Sequence, residues 1–356
     1  MSKTVIVAPL NWGLGHATRS KTVIDNLLAA GCKVIIASDG NSLSVLKRQF
    51  PVLQAEELPS YSPVYPLNGN MVWAMLKQTP KMLLNISNEQ SAIKKIASKY
   101  NAEIIISDNR YGCFTNFTKN IFLSHQLMIQ SPESLLFLRP SINRLHAKYI
   151  NRFHECWIPD VEHGFKLSGI LSENKFIKIP KYNCGLLSSF QSSNLSNDKK
   201  YDIVAILSGP EPQRTIFEGK IIEQLEKLHC SALLIRGKIS DPNEIPDRGA
   251  LQFKNYMPAD EIAKFINTDT LVICRSGYST IMDIAQLGVR ALLVPTPGQT
   301  EQEYLASYLE ENKIFMMQTQ SNIDIQNAIE KKLEYAAIRI EKNILLQQNL
   351  NRILLS

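Results

Sequence analysis

The chain has 356 residues, of which 44% are hydrophobic and 20% charged, enough apolar material for about two domains of ~150 residues and too much for a disordered chain. No run reaches the ~18 uninterrupted apolar residues that span a bilayer, and the short run 4–10, which opens into Asn11-Trp12-Gly13, does not read as a secretory leader. The formal charge of +6 conceals an asymmetry: residues 1–183 hold 21 Lys+Arg against 12 Asp+Glu, and residues 184–356 hold 18 against 21, so a +9 half and a −3 half face different partners.

Short β-branched apolar runs alternate with amphipathic stretches, the pattern of parallel βαβ units. In the first half strands are predicted at 4–10, 33–39, 103–108, 121–126 and 156–159. Helices are predicted near 17–30, 42–50, 88–99 and 140–153, with a loop rich in Pro, Tyr, Ser and Asn at 58–70. The Ser-, Asn- and Gly-rich stretch 183–194 reads as a linker. Strands follow at 201–207, 232–236, 250–253, 271–274, 291–295 and 314–317, with helices at 215–228, 259–266, 280–287, 301–311 and 323–332. The tail 335–355 reads as one helix, either a final packing helix or a strap returning to the first domain. The expected organisation is therefore 1–183, 184–334 and a terminal helix 335–356. The fold class is α/β, with two doubly wound Rossmann-like domains facing across a cleft rimmed by the carboxyl ends of their strands.

The first strand runs into Asn11-Trp12-Gly13-Leu14-Gly15-His16-Ala17-Thr18-Arg19-Ser20. Gly13 and Gly15 permit a tight turn whose backbone N–H groups, at a helix start, suit an anion. A dinucleotide fingerprint needs a glycine where Thr18 stands; Asp39, at the end of the second strand, sits where a ribose-binding acid of a dehydrogenase would. His16 lies at the tip of the turn, where an imidazole can take a proton from a hydroxyl and where the positive helix end favours its neutral form. A histidine that only hydrogen-bonds local backbone is an equal reading. Asp108, closing the strand at 103–108, is the second candidate base.

In the second half Cys274-Arg275-Ser276-Gly277-Tyr278-Ser279-Thr280 breaks a strand and starts a helix. Backbone N–H groups and hydroxyls at such a start suit a diphosphate. Asp283 follows one turn later, placed to accept two ribose hydroxyls; ordinary caps and a dipole-compensating acid are the plain alternatives. Pro295-Thr296-Pro297 then leads to Glu301-Gln302, an acceptor and an amide matched to sugar hydroxyls, or simply a capping pair. The six cysteines form no close pair, so reduced buried thiols are expected and no metal knuckle or disulfide framework.

Taken in order, the Gly13-Leu14-Gly15-His16 turn, Cys274-Arg275-Ser276-Gly277 with Asp283, and Pro295-Thr296-Pro297 with Glu301-Gln302 resemble the GT-B glycosyltransferases of the family-28 type. The resemblance implies an acceptor-side first domain and a nucleotide-sugar-binding second domain. It implies that Ser276, Gly277, Ser279 and Thr280 hold a donor diphosphate beside Arg275, that Asp283 binds ribose, and that Glu301 and Gln302 bind the sugar. Ser208-Gly209 opens the second domain's phosphate loop, where prolines replace the usual glycines and Arg214 supplies charge instead. Phe253 and Met257 match the strand and loop whose backbone reads uracil. Gly13, Gly15 and His125 fall on the acceptor side. Leu14 stands where the peptidoglycan enzyme of this family carries a glycine, so lipid II synthesis itself is not implied.

The implied reaction is an inverting, metal-independent transfer of N-acetylglucosamine or a related hexose from a UDP-sugar, without a cofactor, to a hydroxyl acceptor that is lipid-linked or part of the cell envelope. A UDP-sugar epimerase of GT-B fold and a non-catalytic nucleotide-sugar-binding protein are the alternatives. Apolar and basic residues combine at Met71–Lys77 with Lys81–Leu84 and at Leu135–Arg139 with Arg144, Lys148 and Arg152. Either stretch suits an anionic membrane surface, or is a core-facing amphipathic helix with a solvated basic face; the protein is expected in the cytoplasm, the first reading adding peripheral contact on the inner face of the cell membrane. Its basic residues are not interleaved with aromatics, so nucleic acid is not an expected partner.

Overall fold

The computed structural model describes residues 2–355 apart from 62–70, 189, 191–199, 239–240, 242 and 341–343. The chain divides into two compact units, residues 1–187 with 342–356, and residues 188–341.

The first unit runs β1 (Thr4–Pro9), α1 (Leu14–Ala29), β2 (Lys33–Ser38), α2 (Gly40–Gln49), β3 (Gln54–Glu57), α3 (Met71–Tyr100), β4 (Ile104–Asp108), β5 (Lys119–Leu123), α4 (Arg139–Ile150), β6 (Glu155–Ile158) and β7 (Lys181–Asn183). The seven strands form one parallel sheet in the order β3-β2-β1-β4-β5-β6-β7. All six residues of β1 are buried, as expected of a central parallel strand with both faces covered, whose sequence is a continuous apolar run. Ile6, Ala8, Ile35, Ala37 and Ile105 pack with Ile93, Ile96 and Ala97 of α3. Further along the sheet, Phe122, Cys156 and Ile158 pack with Ala147 and Ile150 of α4.

The second unit runs β8 (Ile203–Ile206), α5 (Gln213–Leu225), β9 (Ala232–Ile235), β10 (Leu251–Lys254), α6 (Ala259–Ala263), β11 (Leu271–Cys274), α7 (Tyr278–Leu287), β12 (Arg290–Leu293), α8 (Thr300–Glu311), β13 (Met316–Met317) and α9 (Ile325–Lys331). Its parallel sheet has the order β10-β9-β8-β11-β12-β13. Alternate residues Ile203 and Ala205 of β8, Ala232 and Leu234 of β9, and Leu271 and Ile273 of β11 share a cluster with Phe217, Ile221 and Leu225 of α5. The two-residue period of the strands thus meets the helical stripe of α5.

Three expectations need correction. Strands β3 and β7 went unpredicted because Gln54–Glu57 and Lys181–Asn183 are short, polar edge segments with no apolar run. Helix α3 begins at Met71, well before the predicted start at 88. Of the predicted loop 58–70, residues 62–70 lie outside the described residues, as do 189 and 191–194 of the linker. The tail is not one helix. Residues 335–340 are irregular, Ala337 takes a positive φ of 47°, and helix resumes only as α10 (Leu345–Leu355). Tyr335 joins the second unit's core and Ile340 donates its N–H to the Ala285 carbonyl. The side chain of Arg339 lies where a Cβ on Gly288 would fall, 2.9 Å away, and Gly288, at φ +69°, ends α7 in a left-handed cap that glycine adopts without strain. Helix α10 packs in the first unit, where Asn349 donates to the Asn183 carbonyl and Arg352 pairs with Glu155.

In each sheet the strand order reverses once, between β1 and β4 and between β8 and β11. Loops leaving neighbouring strands there run to opposite faces and open a crevice at the carboxyl ends.

Candidate active site

At the first reversal, β1 delivers the turn Asn11–Gly13 and β4 delivers Asp108. Gly13 stands before α1 at φ 79°, a conformation that favours glycine, and α1 then carries Gly15, His16 and Arg19. His16 Nδ1 lies 3.0 Å from Asp108 Oδ1. Arg19, three residues on and so on the same helical face, donates through Nε to Asp108 Oδ2 at 2.7 Å and through Nη2 to Oδ1. Its Nη2 is also 2.8 Å from His16 Nδ1, and its Nη1 donates to Nδ1 of His125 at 3.2 Å. Asp108, Arg19 and His125 are buried.

Burial pushes the Asp108 carboxyl up, but the charges of Arg19 and His16 and their hydrogen bonds outweigh it and hold the group well below the usual carboxylate range. Burial draws His16 down, reinforced by Arg19 and His125 and opposed by Asp108. The imidazole is therefore neutral near pH 7. Two neutral tautomers fit these contacts: with the proton on Nδ1 the ring donates to the Asp108 carboxylate, and with it on Nε2 the Nδ1 lone pair accepts the second Nη2 hydrogen of Arg19. His16 Nε2 has no hydrogen-bond partner among the described residues, and in the Nδ1-protonated tautomer it carries the lone pair. Asp39 is committed elsewhere: it accepts from Arg110 Nη1 at 2.7 Å and from Asn11 Nδ2 at 3.2 Å. Arg110 is itself held by Glu89 and the Pro9 and Pro59 carbonyls, so Asp39 belongs to an internal charge network, against the dinucleotide reading.

At the second reversal, β8 leads to Ser208 and Gly209, both exposed, with Gly209 at φ 108°. Strand β11 leads through Arg275 and Ser276 to Gly277, which precedes α7. The helix begins at Tyr278, so Ser279 and Thr280 both sit in its first turn, half-buried, with Asp283 a turn further. Ser188 Oγ donates to Asp283 Oδ1 at 2.5 Å. Glu301 and Gln302 open α8, next to the loop after β12.

Several expected donor contacts are turned inward. Arg275 is 1% exposed and donates to the carbonyls of Val294, Pro295 and Gln213 and to Gln320. It ties the start of α5 to the end of β12, and its guanidinium lies 4.1 Å over the Phe217 ring. Burial lowers it to about 10. Arg214 is likewise buried, donating to Glu211, Glu218 and the Arg236 carbonyl, so it supplies no open charge to a phosphate. Ser276 donates to the Gln302 carbonyl at 2.8 Å. The Gln302 amide braces its own loop, accepting from Thr296 N–H and donating to Gln299. Phe253 lies within β10, buried, with its N–H on Asp247 Oδ1. Met257 does fall on the loop at the carboxyl end of β10. Sequence reasoning missed Arg19; its signal was the i+3 spacing from His16 on a helix beside an acid-ended strand.

Residues 218–349 match the glycosyltransferase family 28 C-terminal domain. The chain therefore carries a family-28 glycosyltransferase C-terminal domain within a GT-B fold. It is 22% identical over 319 residues to an uncharacterized glycosyltransferase of Methanosarcina acetivorans, covering 84% of this chain and 81% of that protein. It is 22% identical over 248 residues, 65% of each chain, to the UDP-N-acetylglucosamine–N-acetylmuramyl-(pentapeptide) pyrophosphoryl-undecaprenol N-acetylglucosamine transferase of Exiguobacterium sibiricum. In fold, this glycosyltransferase matches the solved structure of Acinetobacter baumannii MurG at a TM-score of 0.60 and 12% identity, over 100% of both chains. It also matches the kitacinnamycin glycotransferase at 0.63 and 12%, over 99% of this chain and 94% of that one.

Proposed function

We propose that this glycosyltransferase moves a hexose, N-acetylglucosamine or a close relative, from a UDP-sugar to a hydroxyl acceptor that is lipid-linked or part of the cell envelope. The observation that carries the reading is His16, a neutral imidazole with Nδ1 on Asp108 and Nε2 unpartnered. Nε2 takes the proton of the acceptor hydroxyl while that oxygen bonds to the anomeric carbon, and the bond from that carbon to the UDP oxygen breaks, inverting the centre. Asp108 orients the ring and stabilises the imidazolium that forms; its own low proton affinity removes it as the base. UDP leaves with its charge met by the first turn of α7, through the N–H groups after Gly277 and the hydroxyls of Ser279 and Thr280. Ser208 and Gly209 flank the diphosphate, Met257 lies by the base, Asp283 takes the ribose hydroxyls in exchange for Ser188, and Glu301 takes the sugar. The relatives named for UDP-N-acetylglucosamine support this donor.

The acceptor side extends to a membrane surface. Leu136 and Phe137 are exposed before α4, Leu145, Arg144 and Lys148 are exposed upon it, and Arg152 is exposed just past its end. Side chains of the other stretch, 71–83, lie outside the described residues. No helix among the described residues is long and apolar enough to cross a membrane, so contact is peripheral.

The test is incubation with a panel of UDP-sugars and lipid-linked or soluble hydroxyl acceptors, reading released UDP and the product's anomeric configuration. Acceptor-dependent UDP release with inversion is expected, and His16→Ala should lower kcat by ~10²–10⁴-fold. Retention at the anomeric centre, near-normal turnover of the His16 variant, or an epimerised sugar from donor alone would overturn the mechanism.

A further inference from the structure

We propose that Arg19 is a positioning residue for the base: it holds the Asp108 carboxylate by two points and balances its charge, so that His16 stays neutral with Nε2 open to the acceptor. The inference rests on the reading of His16 as base and explains how that base is kept ready. A lone buried carboxylate beside an imidazole draws a proton onto the ring, and an imidazolium accepts no proton from a hydroxyl. Arginine does not lose its own proton, so the Arg19–Asp108 pair is neutral as a whole. What His16 receives is an orienting acceptor with much of its pull already balanced.

The geometry fits this role at each contact. Arg19 is 1% exposed. Its Nε and Nη2 address the two oxygens of Asp108, which fixes the carboxylate plane as a single lysine-type contact does not. With His16 Nδ1 2.8 Å from the same Nη2, the guanidinium charge stands against the ring. Nη1 donates to His125 Nδ1, which joins α1, the end of β4 and the segment after β5 through one side chain. The titratable and charged groups facing His16 are Asp108 from β4, Arg19 from α1 and His125 after β5. Of these Asp108 alone favours the protonated ring.

The experiment follows the His16 side chain itself by NMR titration of the histidine-labelled full chain, with the signal assigned through His16→Asn. In Arg19→Gln the His16 midpoint should rise by about one pH unit or more, and the acidic limb of kcat should rise with it. Arg19→Lys retains charge without the fork, so it should return most of the midpoint while kcat stays reduced. Should Arg19→Gln fail to fold, the pair Arg19→Gln/Asp108→Asn removes both charges in near-isosteric form. The proposal expects that variant's midpoint close to the parent's, whereas an Arg19 without influence on the ring would leave it lower, since only the pull of Asp108 would be lost. An unchanged midpoint in Arg19→Gln, or an equal rise in Arg19→Lys, overturns the proposal. Failure of the base reading is separate: His16→Ala would then keep its turnover, whatever the NMR midpoints do.

Discussion

His16 and His146 are both imidazoles sheltered in the first unit, and their neighbours give them different consequences. His16 has a carboxylate and a guanidinium beside Nδ1 and an open Nε2. His146, on α4, has no hydrogen-bond partner at either nitrogen among the described residues, meets Tyr111 edge-on at 5.6 Å, and is pushed down to about 4 by burial alone. Between the ordinary histidine value near 6.5 and about 4, the unfolded chain binds a proton there that the folded chain does not. Stability is thus complete above pH ~6.5 and falls as pH drops toward 4, by about 3 kcal/mol for this group. His146→Leu is expected to flatten the fall in Tm between pH 6.5 and 4.5; an unaltered slope would show that other groups carry it. At the donor side, Asp283→Ala should weaken UDP in calorimetry by about tenfold or more, since a hydrogen bond to a charged group contributes ~1.5–3 kcal/mol. Unchanged affinity would remove Asp283 from the ribose. Residue types and spacing made His16, Asp108, Ser279, Thr280 and Asp283 readable, because helix periodicity places them at the starts of α1 and α7 and at a strand end. They did not reveal that Arg214, Arg275, Ser276 and Gln302 face inward. An arginine beside a helix start reads alike whether its fork meets a phosphate or a ring of carbonyls contributed by distant segments.

At the scale of elements, central strands were legible and the two edges of the first sheet were not. β1, β4 and β11 are runs of Val, Ile and Leu because both faces are buried, whereas β3 and β7 carry Gln, Glu, Lys and Tyr because one flank of each meets solvent. The tail shows the limit of periodicity. Tyr335 and the residues of α10 have apolar spacing compatible with one helix, yet they serve two different cores, and the chain must leave helical geometry at 335–340 to do so. Helix α10 anchors itself with Leu346, Leu350 and Ile353, all buried, and with Arg352 stacked 3.7 Å over Tyr182 while paired to Glu155. Leu350→Ala should cost about 2–5 kcal/mol of first-unit stability, read as a lower denaturant midpoint at an unchanged m-value. A loss below about 1 kcal/mol would mean that α10 is peripheral to the first core.

At the scale of the molecule, assignment of 342–356 to the first unit moves Lys342 and Arg352 with it. The first unit then holds 23 Lys+Arg against 12 Asp+Glu, and the second 16 against 21, or +11 and −5. The contrast is larger than the division at residue 183 implies. Binding to anionic vesicles is therefore expected at low salt and should fall steeply as ionic strength rises, because exposed charges are screened beyond ~10 Å at 0.1 M. Phe137→Ser should weaken it further by removing an apolar group 74% exposed. Absence of cosedimentation with anionic vesicles at low salt would sink the membrane contact. The sequence by itself determined that the protein is an α/β chain of two doubly wound units, with a histidine turn in one and a hydroxyl-rich helix start in the other, because apolar period and turn chemistry are local properties. Only the tertiary structure decided which candidate groups are open and which are paired. That choice depends on partners brought together by sheet order: β4 beside β1 sets Asp108 against His16 and Arg19, although Asp108 and His16 are 92 residues apart in the chain.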